Sequence, residues 1–345
     1  MLHGYYIKRI CLDNIFLDKT YKYIKTIESY LIGSLFLGGF IFMIKGKLLK
    51  PDSTIGIICP ASCSPKEDID IFIKQFKNFG FNIVLGNHIY DKDGYLAGTD
   101  KDRAKDLVDM FKDDSIDGII CFRGGYGSIR TLPYIDMKTI KKHPKFFCGY
   151  SDITILLNYF AANKLITFHG PMIKSKFDDL YTLSSLKKFM TNPTKGYIYD
   201  LSNSIRYKED YFSGRLMGGN LSMLCSSIGT PFEVNFNNSI LMIEEIDESP
   251  YVVDRLLTQL LLSSKLNKCN GILIGHMTGC DPKDSNKDNF TIKEIIEKRL
   301  VPLNIPIIYG VPFGHSYPNL TFPIGCNASY EKNTNKLIIC ENPLK

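Results

Sequence analysis

The sequence predicts an α/β protein of two domains, the first built on a parallel sheet and the second a mixed α+β unit. Three observations carry this. Between residues 50 and 170, short apolar runs alternate with segments of helical period. The runs are continuous rather than alternately polar, as expected of strands covered by helices on both faces. Around residues 190–215 the alternation stops and polar residues take over.

In order, "STIGIICPAS" reads as a strand that Pro60 stops, and Ile69, Phe72, Ile73 and Phe76 mark an amphipathic helix closed by Gly80. "FNIVLG" is a second strand. "GTDKDRAKDLVDMFKDD" is a helix with Ala104, Leu107, Val108 and Phe111 on its apolar face. "IDGIICF" is a third strand, broken by "RGGYGS". "KFFC" and "LITFHG" are two more, with a helix between them. A linker is expected over residues 191–215. Beyond it come a helix in "GGNLSMLCSSIG", a strand "SILMIEE" and a helix from Tyr251 to Ser264. A strand "GILIGHM", a helix from Thr291 to Leu300 and the run "PIIYG" follow. A hairpin-like pair, "LTFPIGCNASY" and "KLIICEN", ends the chain.

The chain of 345 residues is long enough for two cores, and its 44% hydrophobic and 23% charged residues are those of an ordinary globular protein. A net charge of +6, with no basic run interleaved with aromatics, argues against nucleic acid as a partner. The ten cysteines show no C-x-x-C pair and the six histidines no H-E-x-x-H spacing, so no metal or other cofactor is expected. Cys59, Cys121 and Cys148 lie in apolar runs and read as reduced core thiols of a reducing, cytoplasmic compartment. Residues 1–42 read as an extension outside the fold, Met43 being an alternative start. "YLIGSLFLGGFIFMI" (30–44) is the reason to weigh a membrane anchor, though fifteen residues fall short of the ~20 a spanning helix needs. Domains are therefore expected at 43–190 and 216–345.

Chemistry concentrates at strand ends. "KFFCGYSDITILLNYF" runs from an apolar strand through Gly149-Tyr150-Ser151-Asp152 into a helix whose face is Ile153, Leu156, Leu157 and Phe160. Ser151 there is either a helix cap or a nucleophile on a sharp turn, with the following N–H groups facing a developing oxyanion. A nucleophile needs a base and a group that orients the base. "LMIEEIDES" places Glu244 and Glu245 after a strand, and "GVPFGHSYPN" places His315 in a Gly/Pro-rich loop. "RGGYG" lacks the spacing of the known nucleotide loops and reads as a tight turn or an anion cradle.

Seven segments, in order, resemble the LD-carboxypeptidases of the S66 serine peptidase family: "AGTDKDRAKDL", "FRGGYGSIRTLPYID", "CGYSDITILLNYF", "FHGPM", "GRLMGGNLSML", "LMIEEIDESPYVVDRLLTQL" and "YGVPFGH" with "FPIGCNA". The likeness spans nearly everything from Met43 onward. It implies a glutamine-amidotransferase-like α/β domain followed by a β-rich domain, and a triad of Ser151, His315 and Glu244 divided between them. It also implies an oxyanion hole from the N–H groups of Asp152 and Gly125, with Arg123 and Tyr126 as substrate-binding candidates. Ile153 stands where a G-x-S-x-G elbow would have its second glycine, a departure the family shares. The implied activity is release of terminal D-Ala from murein tetrapeptides in peptidoglycan recycling, without a cofactor, by a homodimer. The alternatives are a microcin C immunity-type peptidase and a non-catalytic sugar- or nucleotide-binding α/β protein, in which Ser151 would only cap a helix.

Overall fold

A computed structural model describes residues 42–191, 197–208, 210–283 and 289–345. Met43–Lys345 forms one compact unit, distinct from Met1–Phe42. The expected extension and the apolar stretch at 30–44 lie, up to residue 41, outside the described residues. No helix among the described residues is long and apolar enough to cross a membrane.

The first sheet contains five parallel strands: β1 (Thr54–Ile58), β2 (Asn82–Leu85), β3 (Gly118–Cys121), β4 (Phe146–Gly149) and β5 (Thr167–His169). β3 and β4 are buried throughout, which is why they read as unbroken apolar runs, whereas β2 lies at the sheet edge and alternates. The helix Lys66–Lys77 turns Ile69, Ile73 and Phe76 inward, with acidic residues in its first turn and lysines in its last, as the helix dipole favours. Thr99 caps the helix Asp100–Lys112 by accepting the Asp102 N–H. The helix Thr154–Ala162, which connects β4 to β5, is buried on nearly every side.

The second sheet has eight strands: β6 (Ile198–Asp200), β7 (Ile205–Arg206), β8 (Phe212–Asn220), β9 (Ser239–Ile246), β10 (Gly271–Thr278), β11 (Ile307–Tyr309), β13 (Asn327–Glu331) and β14 (Lys336–Ile339). Their order is β6-β14-β13-β8-β9-β10-β11-β7. The central strands β8 to β11 are parallel and the outer ones antiparallel.

Two expectations need correction. The segment expected as a linker supplies the edge strands β6 and β7 and the start of β8. It reads as polar because an edge strand leaves much of itself in water, and as irregular because β8 carries three glycines. The run "LTFPIGCNASY" is not one strand of a hairpin. It splits at Gly325, φ +94°, into β12 (Phe322–Ile324) and β13. β13 pairs with β14 as expected, but β12 joins the first sheet antiparallel to β5, with Phe322 opposite His169.

Candidate active site

Ser151 stands just past the C-terminal end of β4 with φ +64°, in the left-handed region. For a residue with a β-carbon that costs about 1–2 kcal/mol, and strain of this kind collects at functional positions. Neither the 3₁₀ turn Ser151–Ile153 nor the helix after it has a side-chain cap, so the capping reading of Ser151 is not realised. Its Oγ makes no hydrogen bond among the described residues. Gly149 makes the turn feasible, since a β-carbon there would come within 2.8 Å of Ile153 Cγ2.

The "RGGYG" loop follows β3, the neighbour of β4, and meets Ser151 at Gly124. A β-carbon at Gly124 would lie 2.9 Å from Ser151 Cβ and 3.2 Å from the Asp152 nitrogen. Gly125 turns the chain at φ +112° with its α-carbon packed on Ser62. The N–H groups of Gly124, Gly125 and Asp152 donate to no protein acceptor among the described residues. Unused donors close to a serine at adjoining strand ends are what an anion site requires. Arg123 donates from Nη1 to the Cys63 carbonyl (3.1 Å), and Tyr126 is 45% exposed beside Tyr95.

What holds this loop is not legible locally. The Asp152 carboxylate, 1% exposed, accepts the Gly127 and Ser128 N–H groups at 3.2 and 2.8 Å, while Ser128 Oγ donates to the Asp152 carbonyl. Burial raises the Asp152 pKa, and the bonds from Ser128 and Gly127 and the Arg103 charge work against it. Arg103, also 1% exposed, donates to the carbonyls of Pro60, Gly98 and Gly127 and pairs with Asp100. It therefore ties three loops at the strand ends to one guanidinium.

Glu244 and His315 meet although 71 residues separate them: His315 Nδ1 lies 2.6 Å from Glu244 Oε2. Glu244 is fully buried within β9, two residues before its C-terminal end, and its Oε1 has no partner among the described residues. Gly314, φ +111°, lets the loop pass so close that a β-carbon would lie 2.7 Å from Glu244 Oε2. Burial alone would lower the His315 pKa, but the Glu244 hydrogen bond and charge, with Glu245 and Asp247 behind, outweigh it and raise it. Glu245 points elsewhere: its carboxylate accepts from Asn220 Nδ2, Ser222 N and Ser222 Oγ, at the start of the helix Leu221–Ser227. The Tyr150 ring, one residue before Ser151, lies 4.8 Å from the His315 ring.

Two ties bring the serine side and the histidine side together. Asn158, 1% exposed on the helix after Ser151, accepts the Gly218 N–H (2.8 Å) and donates to the Gly218 carbonyl (2.9 Å) on β8. Thr154 Oγ1 accepts the Asn220 N–H, and Asn220 is the register partner of Glu244. The second tie is β12, which carries the chain after the His315 loop onto β5. Sequence reasoning passed over Asp152's carboxylate, Arg103, Thr154 and Asn158. For Asp152, Thr154 and Asn158 a polar residue inside an otherwise apolar segment was the available signal, whereas Arg103 lies in a charged helix and gave none.

This arrangement falls within a known class. The N-terminal domain model of the LD-carboxypeptidases matches residues 55–170 and their C-terminal domain model residues 213–329. The chain belongs to the S66 family of LD-carboxypeptidases, serine-type carboxypeptidase hydrolases. Among individual proteins, it is 37% identical to the probable murein peptide carboxypeptidase of Bacillus subtilis, over 85% of this chain and 93% of that one. Its fold matches the microcin C7 self-immunity protein MccF in complex with glutamyl sulfamoyl guanosine with a TM-score of 0.79 at 26% identity, covering 88% of this chain and 100% of the other. It matches the muramoyltetrapeptide carboxypeptidase of Oxalobacter formigenes with a TM-score of 0.76 at 28% identity, covering 84% and 100%.

Proposed function

We propose that this chain is a cytoplasmic LD-carboxypeptidase that releases terminal D-Ala from murein tetrapeptides, with Ser151 as nucleophile, His315 as base and Glu244 as the group that orients it. The observation that carries the reading is the conjunction at one place of a left-handed serine, an imidazole and a buried carboxylate. Tyr150, the neighbour of Ser151, packs on His315, and His315 is hydrogen-bonded to Glu244.

Ser151 Oγ attacks the carbonyl carbon of the L,D-amide as His315 takes its proton through Nε2. Glu244 holds the Nδ1–H, fixes the tautomer and offsets the imidazolium charge. The tetrahedral oxyanion is received by the N–H of Asp152 with that of Gly124 or Gly125. His315 then gives its proton to the departing D-Ala amine, and water repeats the sequence to free the enzyme. In this reading Arg123, with one nitrogen on the Cys63 carbonyl, meets the substrate's terminal carboxylate, and Tyr126 meets its body. The nine described cysteines are all free, in keeping with a reducing compartment. A homodimer belongs to the same proposal.

The test is incubation of the purified chain with tetrapeptides ending in L-Lys-D-Ala or diaminopimelyl-D-Ala, measuring free D-Ala. Release that Ser151→Ala abolishes supports the reading, and no release from either peptide overturns it. The likeness to MccF with a sulfamoyl nucleoside bound favours one second reading, a peptidyl-nucleotide substrate. An aminoacyl sulfamoyl adenosine in the same assay separates the two.

A further inference from the structure

His169 stands at the end of β5, fully buried, and neither ring nitrogen has a hydrogen-bond partner among the described residues. Its ring meets Tyr150 edge-on at 6.0 Å and Phe313 at 89° and 5.5 Å. Those two rings lead to the proposed nucleophile and base: Tyr150 precedes Ser151 and packs on His315, and Phe313 lies two residues before His315. On a further side is Gly219, φ +140°, where a β-carbon would come 3.2 Å from His169 Nδ1. Two aromatic rings and the Gly219 backbone, with Thr154 beside it, close around a ring whose place a phenylalanine could take without two polar atoms to satisfy. Histidine here costs stability, and a buried polar group without partners calls for an explanation in function.

We propose that His169 is a positioning residue for His315: an uncharged imidazole that braces Tyr150 and Phe313 and presents its dipole to the His315 ring as that ring gains a proton. Burial first, and the His315 charge second, push the His169 pKa down to about 3, so the ring stays neutral wherever His315 titrates. A neutral imidazole can exchange tautomers and set its lone pair toward a cation, which a phenylalanine cannot do. The groups acting on His315 are Glu244 on β9 and Glu245 and Asp247 beyond it; Tyr150 after β4 packs on its ring, and the His315 charge in turn reaches His169 on β5. Of these groups His169 is the uncharged polar one whose ring nitrogens make no hydrogen bond among the described residues.

The inference rests on reading His315 as the base, and the experiment keeps the two apart. His169→Phe and His169→Gln are made in the full chain. Three quantities are measured: the thermal midpoint, kcat and KM for D-Ala release, and the His315 titration midpoint by NMR without substrate. H169F is expected to melt higher than wild type, to lose about tenfold in kcat with KM unchanged, and to titrate His315 at lower pH. H169Q, polar and neutral, is expected to recover much of both losses. If H169F does not fold, His169→Met carries the same expectations. An apolar variant with wild-type kcat and an unmoved His315 midpoint overturns the proposal. A wild-type chain that releases no D-Ala overturns the proposed activity instead, and the NMR midpoint still decides the role of His169.

Discussion

Replacing Glu244 by glutamine keeps the size of a fully buried side chain and removes its charge, which makes it the sharpest test of the His315 environment. Glu244 Oε2 lies 2.6 Å from His315 Nδ1, and the carboxylate is shielded from water. With charge centres about 4 Å apart and an effective dielectric constant of about 20, the attraction to an imidazolium is about 4 kcal/mol. Desolvation offsets part of this. What remains should still favour the protonated imidazole, and without it kcat should fall by about 10²–10⁴. The sign follows from the proposed mechanism. His315 must be neutral to accept the Ser151 proton, so activity fails as pH drops through its pKa. In wild type the acid limb of kcat/KM should lie above the ordinary 6.5, because Glu244 outweighs burial. In Glu244→Gln burial remains without its counterweight, and the limb should move below 6.5. Stability follows the same linkage. A histidine raised on folding stabilises fully below its unfolded pKa and loses that contribution as pH rises through its folded value. The variant should lack that extra stability at low pH. The assay is D-Ala release against pH, with urea melts at two pH values. A variant within about fivefold of wild type in kcat/KM, its acid limb unmoved, would refute the reasoning.

Other expectations are more local. Ser151→Ala should lose a factor of about 10³ or more in kcat, while Ser151→Gly, equally inactive, should be more stable than the alanine variant by about 1 kcal/mol because glycine tolerates φ +64°. Urea melts of the pair check this. Arg123→Ala should raise KM for free-acid peptides and leave C-terminally amidated ones little changed; equal effects on both would make Arg123 structural. Asn158→Leu should strand the buried N–H and carbonyl of Gly218, costing about 2–4 kcal/mol, and should lower kcat because the helix behind Ser151 loses its hold on β8. Denaturant melts and turnover measured together test that coupling.

The elements most legible in the sequence are those whose partners are diffuse. β1, β3 and β4 announce themselves because any apolar neighbour satisfies them, and the helix Lys66–Lys77 because its face repeats at helical period. The residues proposed for chemistry were legible for another reason. Ser151 breaks the chain between strand and helix, and Glu244 and His315 stand where apolar strands give out. Edge strands β6 and β7 were hidden by their polarity, and β8 by its glycines, whose packing value appears only where Gly214 and Gly218 meet the close backbone of β9 and Gly219 meets Thr154 and His169.

By itself, then, the sequence determined the parallel sheet, the elbow at Ser151 and the order of the motifs, since each follows from a period or a break within a short window. Only the tertiary structure decided that β12 leaves its hairpin for β5, that Asn158 and Thr154 lock the helix after Ser151 onto β8, and that Arg103 and Asp152 gather the loops around Gly124. It also decided that His315 reaches Glu244, and that His169 lies beneath both Tyr150 and Phe313. The physical reason is the directionality of the contact. Apolar burial is satisfied by any close-packed neighbour, so a local pattern suffices to specify it, whereas a buried hydrogen bond needs one partner at one distance, and here that partner comes from a distant stretch of chain.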